Sequence, residues 1–226
     1  MNTALLPDIL APILTWTLWQ GFAWLVESSR WAKNSLSASV IRLRLQWMLK
    51  MCDRDNRILD STLIGNLMHS VSFLASATII ILGAVLALLG AADRLHASVQ
   101  GMPFLAQGSQ GLMQIKLLTL GLVFVYAFFK FSWSLRQFNY CCVVIGGAPP
   151  VSASDDEKLS FAKKAARVGN LGARSFNQGL RAYYFSLTVV GWFIHPAAMI
   201  VAALMVVAVL WRREFHSRTR RALGQY

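Results

Sequence analysis

Apolar residues in this chain come in long unbroken runs rather than at the spacing of a half-buried helix or strand. Four such runs stand out: about Leu5 to Val26, Leu63 to Ala92, Leu117 into a progressively more polar continuation at Ser132 to Ile145, and Ala182 to Trp211. About 20 apolar residues in a helix cross the ~30 Å hydrocarbon layer, where every backbone polar group must find its partner inside the segment. The pattern therefore predicts an all-α, polytopic membrane bundle, one integral membrane domain over residues 1–226. Pro7 and Pro12 lie early in the first run, and Trp16, Trp19 and Trp24 along it suit the membrane interface. Gly146, Gly147, Pro149 and Pro150 stop the third run. Gly191 and His195-Pro196 are break signals in the fourth, because proline removes a helical hydrogen bond and pushes the residue before it out of the α region.

The basic residues lie mostly between the runs. Of 22 Lys and Arg, seven fall between Arg30 and Arg57, seven between Arg136 and Arg181, and five after Trp211. Basic loops stay cytoplasmic, so the second and third runs cross, with the N-terminus and the connection from Asp93 to Lys116 outside. The fourth run then starts inside, and a single crossing would put Arg212, Arg213, Arg218, Arg220 and Arg221 outside. Either the rule is broken, or the run folds back at His195-Pro196 as a hairpin and returns the tail to the cytoplasm, giving four or five membrane helices. Each hairpin arm has only about 13 to 16 apolar residues, roughly 20 to 24 Å at 1.5 Å per residue. Arg181 and Arg212 would then snorkel at the same face.

The cytoplasmic stretches carry helical patterns of their own. Between Ser37 and Asp60, apolar residues such as Val40, Leu43, Trp47 and Met51 mix with Arg42, Arg44, Lys50, Arg54 and Arg57. This is a basic amphipathic helix that lies on the inner leaflet or packs on the protein's own base. Ser154 followed by Glu157 is a capping-box pattern that opens a short basic helix through Lys163, Lys164 and Arg167, with Gly169 and Gly172 expected to end it.

Candidate chemistry is sparse. On the second run Gly65, Asn66, His69, Ser72, Ser76, Gly83 and Gly90 share one face, and His69, Ser76, Gly83 and Gly90 repeat every seven residues. Small residues let helix backbones approach and polar ones can bond across the contact, so the stripe reads as a helix-packing seam. Alternatively, Asn66 and His69 line a polar pathway. On the third run Lys130 sits about 20 Å from the start of the apolar stretch, deep for a cation. With Arg136 and Asn139 it is either a snorkelling lysine or part of an anion or lipid site.

A composition of 56% hydrophobic and 14% charged residues, with positive mean hydropathy, excludes an ordinary soluble domain. The formal charge of +12 would raise the question of nucleic acid in a soluble protein. Beside anionic phospholipid headgroups it is what cytoplasmic loops need, and no nucleic-acid partner is expected. The N-terminus lacks a basic n-region and a prompt small-x-small cleavage site, so it reads as retained. No phosphate-binding glycine loop, His-Glu-x-x-His, Gly-x-Ser-x-Gly or Cys-x-x-Cys occurs. Cys141 and Cys142 are adjacent and Cys52 is distant, so no disulfide framework is implied. No enzyme activity, cofactor or metal is expected.

The stretches RLRLQWMLKMCDRDNRILDSTLIGNLMHSVSFLAS (Arg42 to Ser76), FKFSWSLRQFNYC (Phe129 to Cys141) and SFNQGLRAYYFSL followed by WFIHP and WRREF (Ser175 to Phe215) resemble a bacterial and plant membrane family catalogued as a domain of unknown function, number 599. The resemblance implies an integral membrane protein and carries over no catalytic or binding residues. Two functional readings follow. One is a structural or interaction component of a bacterial inner (plasma) membrane, self-associating as a homo-oligomer or bound in a larger membrane complex. The other is a small channel or carrier for a solute or anion, with Asn66, His69, Lys130, Arg136 and Asn139 converging on a polar cytoplasmic vestibule.

Overall fold

The computed structural model describes residues 6–99 and 109–223. Helix α1 (Leu6–Ser28) covers the first apolar run, and a 3-10 turn over Arg30–Asn34 leads into α2 (Leu36–Cys52). The second run becomes α3 (Ile58–Gly90), followed by the short α4 (Ala92–Val99). Residues 100–108 of the connection expected outside lie beyond the described residues. Helix α5 is Gln110–Gly146, α6 is Asp155–Ile194, α7 is Pro196–Phe215 and α8 is Arg218–Leu223. Four helical stretches are long and apolar enough to cross a membrane: Leu6–Ser28, Ile58–Gly90, Gln110–Gly146 and Pro196–Leu223. This is a multi-pass membrane bundle, and its surface agrees. Ile80, Leu122, Phe129 and Val143 are 66 to 75% exposed on helices whose opposite sides are packed, as lipid-facing side chains are.

Helix starts follow local chemistry. Ser35, Ser109 and Ser154 cap α2, α5 and α6 by accepting the amides of Ala38, Leu112 and Glu157, each satisfying one of the orphan donors of a first turn. The break at His195-Pro196 is real. His195 takes an extended backbone, and its Nδ1 accepts the Ala197 amide at 3.1 Å to start α7. The chain then folds back, so that Gly191 faces the backbone of Ala198 while Arg213 reaches Tyr184. Helices α6 and α7 form the hairpin, and the C-terminal arginines return to the end of the bundle that holds the other basic segments. There the Ser37 amide donates to Glu214 at 2.9 Å and Lys158 pairs with Asp53 at 2.9 Å.

Three features of α6 correct the local reading. Gly169 and Gly172 do not end a short helix, and Gly191 does not break one, because α6 runs unbroken for 40 residues. The glycines serve close approach instead. A Cβ on Gly172 would stand 3.0 Å from the Phe138 ring, and one on Gly179 would stand 2.5 Å from the Phe131 ring. Those two phenylalanines anchor the central core with Trp19, Phe22, Val71, Ala182 and Phe185. Between α5 and α6 the Ser134 hydroxyl also donates to the Gly172 carbonyl at 2.8 Å.

The amphipathic helix α2 lies against the bundle base. Met48, Met51, Ile64, Cys141, Ile145, Ala162, Ala165 and Ala166 bury one another there. Asp60, fully buried, accepts both Trp47 Nε1 and Arg54 Nη1 at 2.6 Å and holds the turn from α2 into α3.

Candidate functional site

Helix α6 carries a polar stripe at alternating spacings of four and three: Lys163, Arg167, Asn170, Arg174, Asn177 and Arg181. Such spacing keeps residues on one helix face. At the basic end this face meets α2, which brings Arg42 and Arg44, and α7, which brings Arg213 and Glu214, around a cavity of about 810 Å3. Its other wall is apolar: Phe22 and Val26 of α1, Leu67 and Val71 of α3, Phe138 of α5 and Leu210 of α7. The cavity thus joins a cationic rim to a hydrocarbon-like wall that faces the interior of the spanning helices.

The electrostatics of the rim are unbalanced. Arg44 bonds Asn170, Arg42 donates to Ser39 at 3.0 Å, and Arg213 donates to the Tyr184 hydroxyl at 2.6 Å over its ring. All three acceptors are neutral. Lys163 and Arg167 also form no salt bridge among the described residues. The acid beside them, Glu214, is engaged by the Ser37 amide. Burial holds the Arg44 guanidinium below its ordinary pKa, partly opposed by Cys141. Gly169 makes room for this arginine, since a Cβ there would stand 3.1 Å from Arg44 Cδ.

At the cavity's inner edge Glu27, the penultimate residue of α1, meets α6. Arg174 donates from Nε at 2.7 Å and Nη2 at 2.5 Å, Gln178 Nε2 lies 3.2 and 3.1 Å from the two carboxylate oxygens, and Arg181 closes an ion pair. Arg181 does not snorkel. It is 8% exposed, turned into the bundle because Glu27 is there, and its buried Nε has no partner. A smaller cavity of about 220 Å3, lined by Gln20, Ser28, Tyr126 and Gln178 among others, shares Glu27 and Arg181 with the large one.

A second charged cluster lies at the far end. Lys116, 3% exposed, stands 3.6 Å from Asp8 and donates to the Trp192 carbonyl at 2.9 Å, while Trp192 Nε1 donates to Asp8 at 2.8 Å. It ties α1, α5 and α6 together near the hairpin tip. The sequence reading set Lys116 beside a connection and missed Glu27. Both pair with residues far along the chain; the 4-3-4-3-4 spacing on α6 was the available signal, and the helix end expected at Gly169 and Gly172 hid it.

The residues singled out from the sequence sit elsewhere. Asn66, His69, Arg136 and Asn139 are exposed, and Lys130 is half-buried with its ammonium 5.3 Å over the Tyr126 ring. Arg136 bonds the Tyr140 hydroxyl at 2.9 Å. No hydrogen bond or ion pair joins any two of these five, and none lines either cavity. Gly65, Ser72, Ser76, Gly83 and Gly90 are exposed too, and a Cβ on any of the three glycines would meet nothing within 4 Å. The stripe is therefore on the outer face of α3, not within the bundle. Among the described residues no group of three or more His, Cys, Asp or Glu side chains is placed to hold a metal ion.

No curated protein and no solved structure matches the chain. The profile of one family, described as Protein of unknown function, DUF599, matches residues 10–219, and the chain belongs to that family.

Proposed function

We propose that this protein is a binding and interaction component of its membrane that holds an anionic phospholipid at its basic end, the phosphate among the arginines and the acyl chains against the apolar wall. The observation that carries this reading is the uncompensated charge of the large cavity: Arg42, Arg44 and Arg213 turn to neutral partners beside Phe22, Val71 and Leu210. Of the three, Arg44 is half-buried, where a cation without a counter-charge is costly, while Arg42 and Arg213 are exposed at the rim; a phosphate oxyanion supplies all three with charge-assisted bonds. The same basic end, in the cytoplasm of a bacterial cell, faces the anionic inner leaflet.

The test is lipid retention in native mass spectrometry of the detergent-extracted protein. Each charge-assisted bond contributes about 1.5–3 kcal/mol. Arg44→Gln with Arg167→Gln should therefore lower retention of phosphatidylglycerol relative to phosphatidylcholine by about tenfold or more, while Arg212→Gln, outside the cavity, should not. Equal retention in all three proteins would reject the reading.

One observation favours a second reading, self-association. The small and polar stripe on α3 faces outward along its whole length, with Gly83 and Gly90 open to close approach, and such a surface suits a second helix better than lipid tails. Gly83→Leu should then reduce the particle mass in detergent, and an unchanged mass would remove the idea.

A further inference from the structure

Glu27 occupies the position that best suits a ligand anion. Its carboxylate is held by Arg174, Arg181 and Gln178 at the inner edge of the large cavity. Both cavities touch Glu27 and Arg181, so this ion pair is the partition between them. The partition is not fully satisfied: Arg181, more than nine-tenths buried, keeps a buried Nε without an acceptor. On the far side of the partition the smaller cavity offers Gln20, Ser28 and Tyr126, groups able to donate to a carboxylate, beside the Gln178 amide that Glu27 already holds.

We infer that Glu27 is a built-in competitor for the anion site: an arriving phosphate ester takes Arg174 and Arg181, and Glu27 turns into the smaller cavity, where neutral donors receive it. The inference rests on the proposed lipid-binding role and adds Arg174 and Arg181 to the phosphate contacts that Arg44 and its neighbours make in the same cavity. No bond to carbon is made or broken. One oxyanion replaces another on the same guanidinium groups, as expected where two like charges cannot share a site.

The experiment measures binding of two probes that carry the same phosphate ester, short-chain phosphatidylglycerol and soluble glycerol phosphate, to the full-length protein in a zwitterionic detergent. Wild-type binding reports on the lipid-binding role itself, and the variant-to-wild-type ratio reports on the exchange. Glu27→Gln keeps the shape and removes the competing charge, so affinity should rise about tenfold or more. Gain for the lipid alone makes a phospholipid the occupant; gain for both makes the phosphate ester sufficient. Because Glu27→Gln leaves two arginines without a counter-charge and can unfold the bundle, a second variant is paired with it. Gln20→Leu with Ser28→Ala removes receiving donors at exposed positions of α1 outside the large cavity, and should weaken binding by about threefold or more. If the wild type binds and a Glu27→Gln protein that elutes as a folded, monodisperse species gains nothing, or the paired variant binds as the wild type does, the exchange is overturned while the lipid-binding role stands. If the wild type binds neither probe, both fall.

Discussion

Placing a methyl group on Gly179 tests whether the long helix α6 is seated where its glycines meet α5. The added Cβ would lie 2.5, 2.8 and 2.9 Å from three carbons of the Phe131 ring. That ring is fully buried, with Phe176 and Tyr183 at 5.9 and 5.6 Å, so it has little room to retreat. Overpacking of a tight core costs about 1–3 kcal/mol, and contacts this short belong at the upper end. Alanine returns up to about 1 kcal/mol of helix propensity, leaving a net loss of about 2 kcal/mol. At roughly 2–4 °C per kcal/mol for a chain of this size, Gly179→Ala should lower Tm by about 4–8 °C. Gly172→Ala, with its nearest ring carbon at 3.0 Å, should lose less, and Gly83→Ala, with nothing within 4 Å, should lose nothing. The assay is the fraction of monodisperse protein left after heating in one detergent, read by fluorescence size exclusion. A Gly179→Ala protein as stable as wild type would refute the packing of α6 on α5.

Lys116→Met should destabilise strongly, by about 3–5 kcal/mol, because it leaves the half-buried Asp8 with only the Trp192 indole. Adding Asp8→Asn should recover part of that loss in the same thermal assay, and additive losses would contradict the pairing. The hairpin makes Ser217→Cys and Asn34→Cys accessible from the same side of the membrane, so in a background where the exposed Cys142 is serine a membrane-impermeant maleimide applied to sealed vesicles should label both or neither. Opposite labelling would mean that the α6–α7 hairpin does not form in the bilayer.

Much of this architecture was legible because hydrocarbon imposes a simple rule on sequence. The apolar runs, the cap at Ser154 and the stop at His195-Pro196 are local signals, and the structure follows each. The hairpin needed one more inference, that the five terminal arginines and the two basic loops share a side. Local rules failed where a distant partner decides. Gly169 and Gly172 resemble a helix end, yet an arginine stem and a phenylalanine ring use the missing side chains. Arg181 resembles an interfacial cation, yet Glu27, 154 positions earlier, draws it inward. His69 and Asn66 stood out because they are polar in an apolar run, and polarity alone does not say which way a helix is rotated.

The unbroken course of α6 has a mechanical consequence. Its 40 residues make a rod of about 60 Å, its second half paired with α7 and its first half packed against α2 and the last turns of α5 at the basic end. Nothing along it acts as a hinge, so the two halves must tilt together. A ten-degree lean of the half paired with α7 would move the other end through about 5 Å on a lever of roughly 30 Å, and α2, packed on that end, would be carried with it.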